Sequence, residues 1–409
     1  MTEGAGAPWG SPPASAAGAT SRSGSGRSAR QRVRFLALRM AGRLYDRTSG
    51  MPPPRSVLLI RPDHLGDMLF LTPGLRALRE HLAETRITVL AGSWSARVLE
   101  SNPAVDTVLT CTFPGFERQP KRSFSAPYRT LLQQAQQLRA QRFDAAVVLR
   151  FDHWWGAWLA AAASIPRRIG YDWPETQPFL TETLPYHSGR HEVEQNGALL
   201  AHLAQAPEWP LGPTSFAVTA EDRKWAEDWL AGRGVEFSIP LVAIHPGAGA
   251  AVKQWPIDRW ADSAGRLIAA TGARLVLTGS SAERPLTQAL SAALAQPVLD
   301  AAGETSLGQL AALQERCALV LGSDCGPLHL AVAMRVPTVH LYGPVSPAKF
   351  GPWGDSDRHI VLTSGWSCAP CNRLDWRTET LGQHQCMAAI TPDQVLRAAL
   401  SLVEGRRSA

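Results

Sequence analysis

The chain has 409 residues and a formal net charge of +6, and its 45% hydrophobic and 19% charged residues are typical of proteins with full hydrophobic cores. None of its apolar runs approaches the roughly 20 residues that span a bilayer, which excludes a transmembrane protein. Six cysteines in so long a chain exclude a disulfide scaffold, and with no secretory signal we expect a cytoplasmic protein. The length exceeds what one core usually spans, so two domains are expected.

The first fifty residues form a basic extension. Residues 1–28 are mostly Gly, Ala, Ser and Pro, which predicts disorder. Residues 31–45 interleave apolar side chains with arginines, a pattern typical of a short amphipathic helix that contacts an anionic membrane surface. The alternatives are an arginine-rich leader docked on the first domain and an organellar transit peptide.

Residues 51–213 alternate between short β-rich runs and helical periodicity. The pattern predicts strands at 56–61, 86–91, 107–110 and 145–150, and helices at 67–82, 95–100 and 128–141. Such alternation indicates a parallel sheet with helices on both faces.

The same rhythm restarts in residues 214–409. It predicts strands at 241–245, 274–278, 297–299, 318–322 and 338–342, and helices at 220–232, 257–271, 281–294, 306–317, 327–334 and 391–404. We therefore expect an α/β protein with two doubly wound domains and a boundary near residue 213. Ligands of such sheets bind beyond the carboxyl ends of the strands, which predicts a site in the cleft between the domains.

The segment RPDHLGDMLFLTP, which begins at Arg61, carries a carboxylate where the first strand meets a helix. Asp67 has two interpretations. It either caps the following helix or serves as the base of a reaction.

Two loops of the second half combine small residues with a charge. In HPGAGAAVKQWP, Gly247 and Ala248 allow backbone N–H groups to approach a phosphate and Lys253 adds a cation; the alternative is a plain turn with a surface lysine. In TGSSAERP, Glu283 either accepts hydrogen bonds from ribose hydroxyls or complements the dipole of the next helix.

A third loop, GSDCGPLHLAVA, opens a helix whose N-terminus suits a pyrophosphate. Gly326 permits close backbone approach, and His329 can direct a ring nitrogen at the same anion. The alternative makes Asp324 a helix cap and His329 a core residue. Three such loops at neighbouring strand ends favour a shared binding site.

Together these motifs resemble glycosyltransferase family 9, the ADP-heptose:lipopolysaccharide heptosyltransferases and their relatives. The resemblance rests on R-x-x-x-LGD-x-x-x-x-TP, HPGAG-x-x-x-K-x-WP, TGS-x-x-E, SDCGPLHLA and LYGPVSP, in that order, and covers roughly residues 56–400. It implies a GT-B fold of two Rossmann-like domains, an acceptor-binding one first and a donor-binding one second. It also implies inverting sugar transfer without a metal or other cofactor. The donor would be a nucleotide sugar, with an ADP-sugar such as ADP-heptose favoured, and the acceptor a cell-envelope glycan or lipid-linked acceptor such as lipopolysaccharide core.

Roles follow from the resemblance at the matching positions. Asp67 would be the general base, Lys253 would contact the donor phosphate and sugar, and Glu283 would bind the ribose. Asp324 would bind hydroxyls of the donor sugar, with Gly326 and His329 at the pyrophosphate. Basic helix 31–45 would suit an enzyme held at the inner face of the cytoplasmic membrane.

Some positions depart from the family pattern or have no assigned role. Cys325 stands where serine or threonine is common; a thiol contact would weaken phosphate binding, whereas a backbone contact would not. His64, Gly66 and the tract 151–155 are candidates for the acceptor side. Trp154 and Trp155 within that tract either stack on sugar or fill a core.

The C-terminal segment holds a formal ligand set for a small structural zinc site. Free thiols that pack a loop are the alternative. The set comprises Cys368, Cys371, His384 and Cys386.

Other functions are alternatives to glycosyl transfer. One is a sugar-nucleotide-binding protein without catalysis, and another is a nucleotide-sugar enzyme of different chemistry, such as an epimerase. The pI of about 9.2 also suggests nucleic-acid binding. The positive charge is concentrated in the N-terminal extension and no nucleic-acid motif is present, so no nucleic-acid partner is expected.

Overall fold

A computed structural model describes residues 29–45, 53–116, 125–236 and 238–407. The disorder predicted for residues 1–28 therefore lies outside the described residues. Contacts between backbone positions divide the described chain into two compact units, residues 29–212 and residues 213–407. Among the described helices, none has the length and apolarity that would let it cross a membrane.

The first unit is built on a six-stranded parallel sheet with the order β3-β2-β1-β4-β5-β6. Its strands are β1 Ser56–Arg61, β2 Arg86–Ala91, β3 Thr107–Thr110, β4 Ala145–Val148, β5 Arg167–Tyr171 and β6 Glu182–Leu184. Every residue of the central strand β1 is buried, as expected for a strand covered on both faces. In the register, Val57 lies between Ile87 of β2 and Ala145 of β4.

Six α-helices belong to the described part of this unit. They are α1 Ala29–Gly42, α2 Leu65–Leu69, α3 Thr72–His81, α4 Ala126–Arg139, α5 Trp154–Ala162 and α6 Glu192–Leu203. Helices α4 and α5 pack together over one core, and α3 packs against α6. Because α2 and α6 lie beside the end of β1, they bring side chains from distant parts of the sequence to one edge of the sheet.

The second unit repeats the plan, with a parallel sheet in the order β12-β11-β10-β7-β8-β9. Its strands are β7 Leu241–His245, β8 Arg274–Leu277, β9 Leu299–Asp300, β10 Leu319–Ser323, β11 Thr338–Tyr342 and β12 His359–Thr363. Its helices are α7 Ala220–Ala231, α8 Ile257–Thr271, α9 Arg284–Ala293, α10 Leu307–Glu315, α11 Gly326–Ala333, α12 Pro347–Phe350 and α13 Pro392–Arg407. One core contains α8 and α13, and a second contains α7 and α10.

Most predicted elements are present, but the helix expected at 67–82 was wrong in two respects. It begins earlier, at Leu65, and it is two helices, α2 and α3. They are separated because the Leu71 N–H bonds the Met68 carbonyl, three residues back, instead of continuing the α-helical pattern. Sequence patterns also missed helices α5, α6 and α12 and strands β5, β6 and β12. The helix expected at 31–45 is present as α1.

Candidate functional site

Two polar clusters stand out, one at the carboxyl edge of each sheet. The first centres on Arg61, the last residue of β1, whose side chain is only 2% exposed. Its guanidinium lies 2.9 Å from the Asp63 carboxylate, 3.2 Å from that of Glu192 and 3.6 Å from that of Asp67. It also donates a 2.8 Å hydrogen bond to the Asn196 side-chain oxygen. A buried cation thus holds three carboxylates together.

Asp63 is the firmly ionised member of this group. Burial acts to raise its pKa, but Arg150 and Arg61 outweigh that effect and lower the pKa to about 2. The backbone carbonyl of Asp63 accepts hydrogen bonds from the Trp94 indole and the Ser95 hydroxyl, each 3.0 Å long. The loop that leaves β1 is therefore fixed by the loop that leaves β2.

Asp67 behaves in the opposite way. Burial and the neighbouring Asp63 carboxylate raise its pKa to about 7, although Arg61 opposes the shift. Its side chain is 27% exposed, so one carboxylate of the cluster remains accessible. The N-cap of α2 is His64, which makes no side-chain capping hydrogen bond, and Asp67 is the third residue of the helix. The capping interpretation of Asp67 is therefore wrong.

The two acceptor-side candidates border this carboxylate. His64 is half-buried, with its ring 6.1 Å from that of Trp94. Gly66 lies within α2, directly before Asp67, and its carbonyl accepts the Phe70 backbone N–H at 3.0 Å.

The two tryptophans of the tract 151–155 differ in how accessible they are to a sugar. Trp155 is 1% exposed, lies in the core between α4 and α5, and donates a 2.9 Å hydrogen bond to the Pro127 carbonyl. It fills a core. Trp154 is half-buried and carries the Arg34 guanidinium 5.6 Å from its ring centroid.

Sequence reasoning missed three contributors to the first cluster: Arg150, Glu192 and Asn196. Arg150 follows β4, the neighbour of β1, so its place at a strand end was the available signal. Glu192 and Asn196 are four residues apart on α6, which places both on one face of that helix.

In the second unit, the three predicted loops follow β7, β8 and β10, which are adjacent in the sheet. The first two meet at Gly247 and Glu283. A β-carbon on Gly247 would lie 2.0 Å from a Glu283 carboxylate oxygen, so any larger residue there would require the Glu283 side chain or the loop to shift. Ala248, the next residue, is buried.

Glu283 uses its other oxygen to begin the helical turn. That oxygen accepts hydrogen bonds of 2.8 Å from both the backbone N–H and the hydroxyl of Ser280, forming a capping box. The oxygen that faces Gly247 lies 3.8 Å from His245 Nε2. Burial lowers the pKa of His245, so this histidine is neutral at physiological pH. The helix-start interpretation of Glu283 holds for one oxygen, and the second lies against the glycine loop.

Lys253 and Asp324 form a nearly buried ion pair across the first and third loops. The Lys253 ammonium lies 2.9 Å from one Asp324 oxygen, and His329 Nε2 lies 3.4 Å from the other. Burial acts to raise the pKa of Asp324, but Lys253 and His329 hold it well below its usual range. Lys253 is thus no surface lysine, because its side chain is only 12% exposed.

Cys325 and Gly326 begin the helix that follows Asp324. Cys325 is the N-cap of α11, makes no side-chain capping hydrogen bond, and directs its thiol into a hydrophobic core. Burial raises the pKa of this thiol to about 12, so it remains protonated. Any ligand contact by Cys325 would therefore use its backbone. Gly326 is the first residue of α11.

The four zinc candidates differ in environment. Cys368 is exposed, Cys371 is half-buried and Cys386 is buried beside Gly343. His384 instead lies against the Trp376 ring, with centroids 3.8 Å apart. Within the described ranges, no group of three or more His, Cys, Asp or Glu side chains is arranged to hold a metal ion.

Comparison with known proteins decides what this pair of sheets and loops represents. A sequence model of glycosyltransferase family 9 (heptosyltransferase) matches residues 131–380, more than half of the chain. The chain belongs to glycosyltransferase family 9. Membership confirms the resemblance and identifies a glycosyltransferase, which disfavours the epimerase alternative. Asp67 precedes the matched range.

Individual relatives agree with this assignment. The chain is 27% identical over 360 residues to lipopolysaccharide heptosyltransferase 2 of Salmonella typhimurium. This alignment covers 85% of this chain and 98% of the relative. A family 9 glycosyltransferase from Veillonella parvula has a similar structure, with a TM-score of 0.75 and 23% sequence identity. The match covers 88% of this chain and 99% of that protein. The structure of the Escherichia coli ADP-heptose lps heptosyltransferase II is also similar, with a TM-score of 0.69 and 24% sequence identity. This match covers 86% of this chain and 99% of that enzyme. The expected α/β GT-B fold class is confirmed by these structures.

Proposed function

We propose that this glycosyltransferase moves a heptose from ADP-heptose to the lipopolysaccharide core or a related lipid-linked glycan of the cell envelope. Its family and its similarity to a lipopolysaccharide heptosyltransferase support this acceptor class. The ADP-heptose donor is suggested by the name of the similar E. coli enzyme.

The observation that carries the mechanism is the state of Asp67. A general base works best when its pKa lies near the operating pH, and the environment of Asp67 raises its pKa to about 7. In the proposed step, the Asp67 carboxylate accepts the proton of the acceptor hydroxyl as that oxygen attacks the anomeric carbon. The bond from that carbon to the β-phosphate oxygen breaks, and ADP departs with the electron pair. A single displacement inverts the anomeric configuration.

The second unit supplies groups for the donor. The leaving ADP gains negative charge, which the Lys253 ammonium and the N-terminus of α11 at Gly326 can stabilise in place of a divalent metal. Asp324, held ionised beside Lys253, is suited to accept hydrogen bonds from sugar hydroxyls. We assign His329 to the pyrophosphate and Glu283, with the glycine loop, to the ribose.

A sugar-nucleotide-binding protein without catalysis would need only the second cluster. The accessible Asp67 beside the buried Arg61 favours catalysis, because a binding protein has no use for a carboxylate with a raised pKa in its other unit. We further propose that the enzyme works at the inner face of the cytoplasmic membrane, where a lipid-linked acceptor is available.

Calorimetric titration with ADP, UDP, GDP and dTDP, each with and without EDTA, tests the donor assignment. Preference for ADP that EDTA does not alter is the expected result. Preference for another nucleotide would exclude ADP-heptose as donor. Loss of ADP binding in EDTA would contradict the metal-independent mechanism.

A further inference from the structure

Helix α1 and the turn that follows it present an apolar stripe to solvent. Leu36, Met40 and Leu44 are spaced four residues apart and are 61%, 62% and 83% exposed. The opposite side of the helix is buried, with Leu38 only 3% exposed. With about 100° of rotation per residue, the exposed stripe points away from the protein.

The helix is held firmly in this orientation. A β-carbon on Gly42 would lie 2.5 Å from the Pro178 carbonyl oxygen, so α1 packs closely on that turn. The chain just beyond the helix is fixed as well, because the Trp158 indole donates a 3.1 Å hydrogen bond to the Tyr45 hydroxyl. Rotating α1 to bury its outer stripe would break both contacts.

The charged residues of helix α1 are all of one sign. Helix α1 contains no acidic residue, and Arg39 and Arg43 are exposed on one flank of the stripe. Helix α4 extends the apolar character, since Tyr128 and Leu132 are 43% and 65% exposed. The Tyr128 ring lies 5.8 Å from that of Trp158, the side chain that binds the end of the α1 segment.

We infer that this face, hereafter the α1 face, defined by Leu36, Met40, Leu44, Arg39 and Arg43, docks on the surface of an anionic lipid bilayer. Exposed apolar side chains would enter the headgroup region while flanking guanidiniums bind lipid phosphates. Among the described residues, five of the seven large hydrophobic side chains that are exposed lie on α1, α4 or the residues next to α1. A protein partner of mixed charge would not select for a surface whose ionic groups are all arginines.

The inference concerns a surface separate from both polar clusters, so its test does not depend on the donor. Co-sedimentation of the full chain with vesicles of phosphatidylcholine alone, or with added phosphatidylglycerol, measures binding. Wild-type protein is expected to bind the anionic vesicles only. In the triple variant Leu36→Ser, Met40→Ser, Leu44→Ser, the partition coefficient onto anionic vesicles should fall at least tenfold. In the double variant Arg39→Gln, Arg43→Gln it should fall about 25-fold, at about fivefold per arginine.

A matched control replaces two large hydrophobic residues that are exposed in the described part of the other unit. Ile239→Ser with Trp366→Ser should leave vesicle binding unchanged. All variants should retain the wild-type affinity for ADP, which separates a failure of docking from a failure of the donor site. Equal vesicle binding by wild type and the α1 triple variant would overturn the inference. The inference would also be overturned if the wild type were a dimer in the absence of lipid and the triple variant were a monomer.

Discussion

The Arg61 guanidinium lies 3.6 Å from the Asp67 carboxylate, farther than the 2.9 Å that separates it from Asp63. Arg61 is therefore mainly committed to Asp63, and its attraction does not cancel the burial and like charge that raise the pKa of Asp67. Two carboxylates four residues apart thus have opposite properties. One is a permanent counter-ion and the other is poised to exchange a proton.

Replacing Asp67 with asparagine should stabilise the protein at pH 8. A carboxyl whose folded pKa is raised from 3.8 to about 7 binds its proton more tightly when folded, so its ionisation opposes folding above pH 4. We expect Asp67→Asn to raise the free energy of unfolding by about 1–3 kcal/mol at pH 8. The gain should vanish near pH 4. Denaturant titrations at the two pH values measure it, and destabilisation at pH 8 would contradict the environment assigned to Asp67.

Replacing Asp63 with asparagine should have the opposite effect. The lowered pKa of Asp63 contributes stability at all pH values above about 4, which is lost as the pH falls through 2. Because the substitution leaves Arg61 buried without its nearest carboxylate, we expect a cost of about 3–5 kcal/mol at pH 7. Asp228→Asn is the control, since the Lys224–Asp228 pair is exposed and should contribute less than about 0.5 kcal/mol. Similar losses in both variants would refute a special role for Asp63.

Lys253 should matter for nucleotide affinity. Lys253→Met removes a charged donor from a nearly buried site, and a hydrogen bond to a charged group is worth about 1.5–3 kcal/mol, or about 10- to 150-fold in Kd. Calorimetry with ADP measures the loss. Lys224→Met, which changes an exposed lysine of the same unit, should bind ADP like the wild type. Unchanged affinity in Lys253→Met would remove Lys253 from the donor site.

A side chain at Gly247 should disturb the glycine loop. A methyl group there would meet the Glu283 carboxylate, so Gly247→Ala must displace that side chain from its capping box or move the loop. We expect at least tenfold weaker ADP binding and a lower melting temperature. In contrast, Gly265→Ala lies within α8 with no atom closer than 4.0 Å and should stabilise the protein by about 0.5–1 kcal/mol. Unaltered ADP affinity in Gly247→Ala would show that the loop does not contact the donor.

Much of the fold could be predicted because strands covered on both faces form continuous apolar runs. Strands β1, β2, β7 and β11 are buried along nearly all of their length and have the predicted bounds, and the partly exposed edge strand β3 has them as well. Strand β5 was missed because it contains Arg167 and Arg168, which look exposed in the sequence. Both are buried in the protein, where Arg167 pairs with Glu182 at 2.8 Å and Arg168 donates to the Phe179 carbonyl at 2.7 Å. Their hydrogen bonds depend on tertiary contacts that periodicity does not encode.

The candidate site, like the fold, could be predicted only in part. Lys253 and Asp324 are brought together from loops predicted to share a sheet edge. The group around Asp67 could not be foreseen, because Arg61 meets Glu192 across 131 positions of sequence and on a helix that was not predicted. The raised pKa of Asp67 depends on that group and on burial, so only the three-dimensional arrangement reveals it.

The most direct test of the central claim compares transfer by the wild type and by Asp67→Asn. Release of ADP from ADP-heptose in the presence of a heptose-deficient lipopolysaccharide acceptor would be followed from pH 5 to 9. For the wild type, kcat/KM should rise with pH and level off above an apparent pKa of about 7. The variant should bind ADP normally and transfer about 10²- to 10⁴-fold more slowly, with no inflection near pH 7. Wild-type rates in Asp67→Asn would contradict the role of Asp67 as the base.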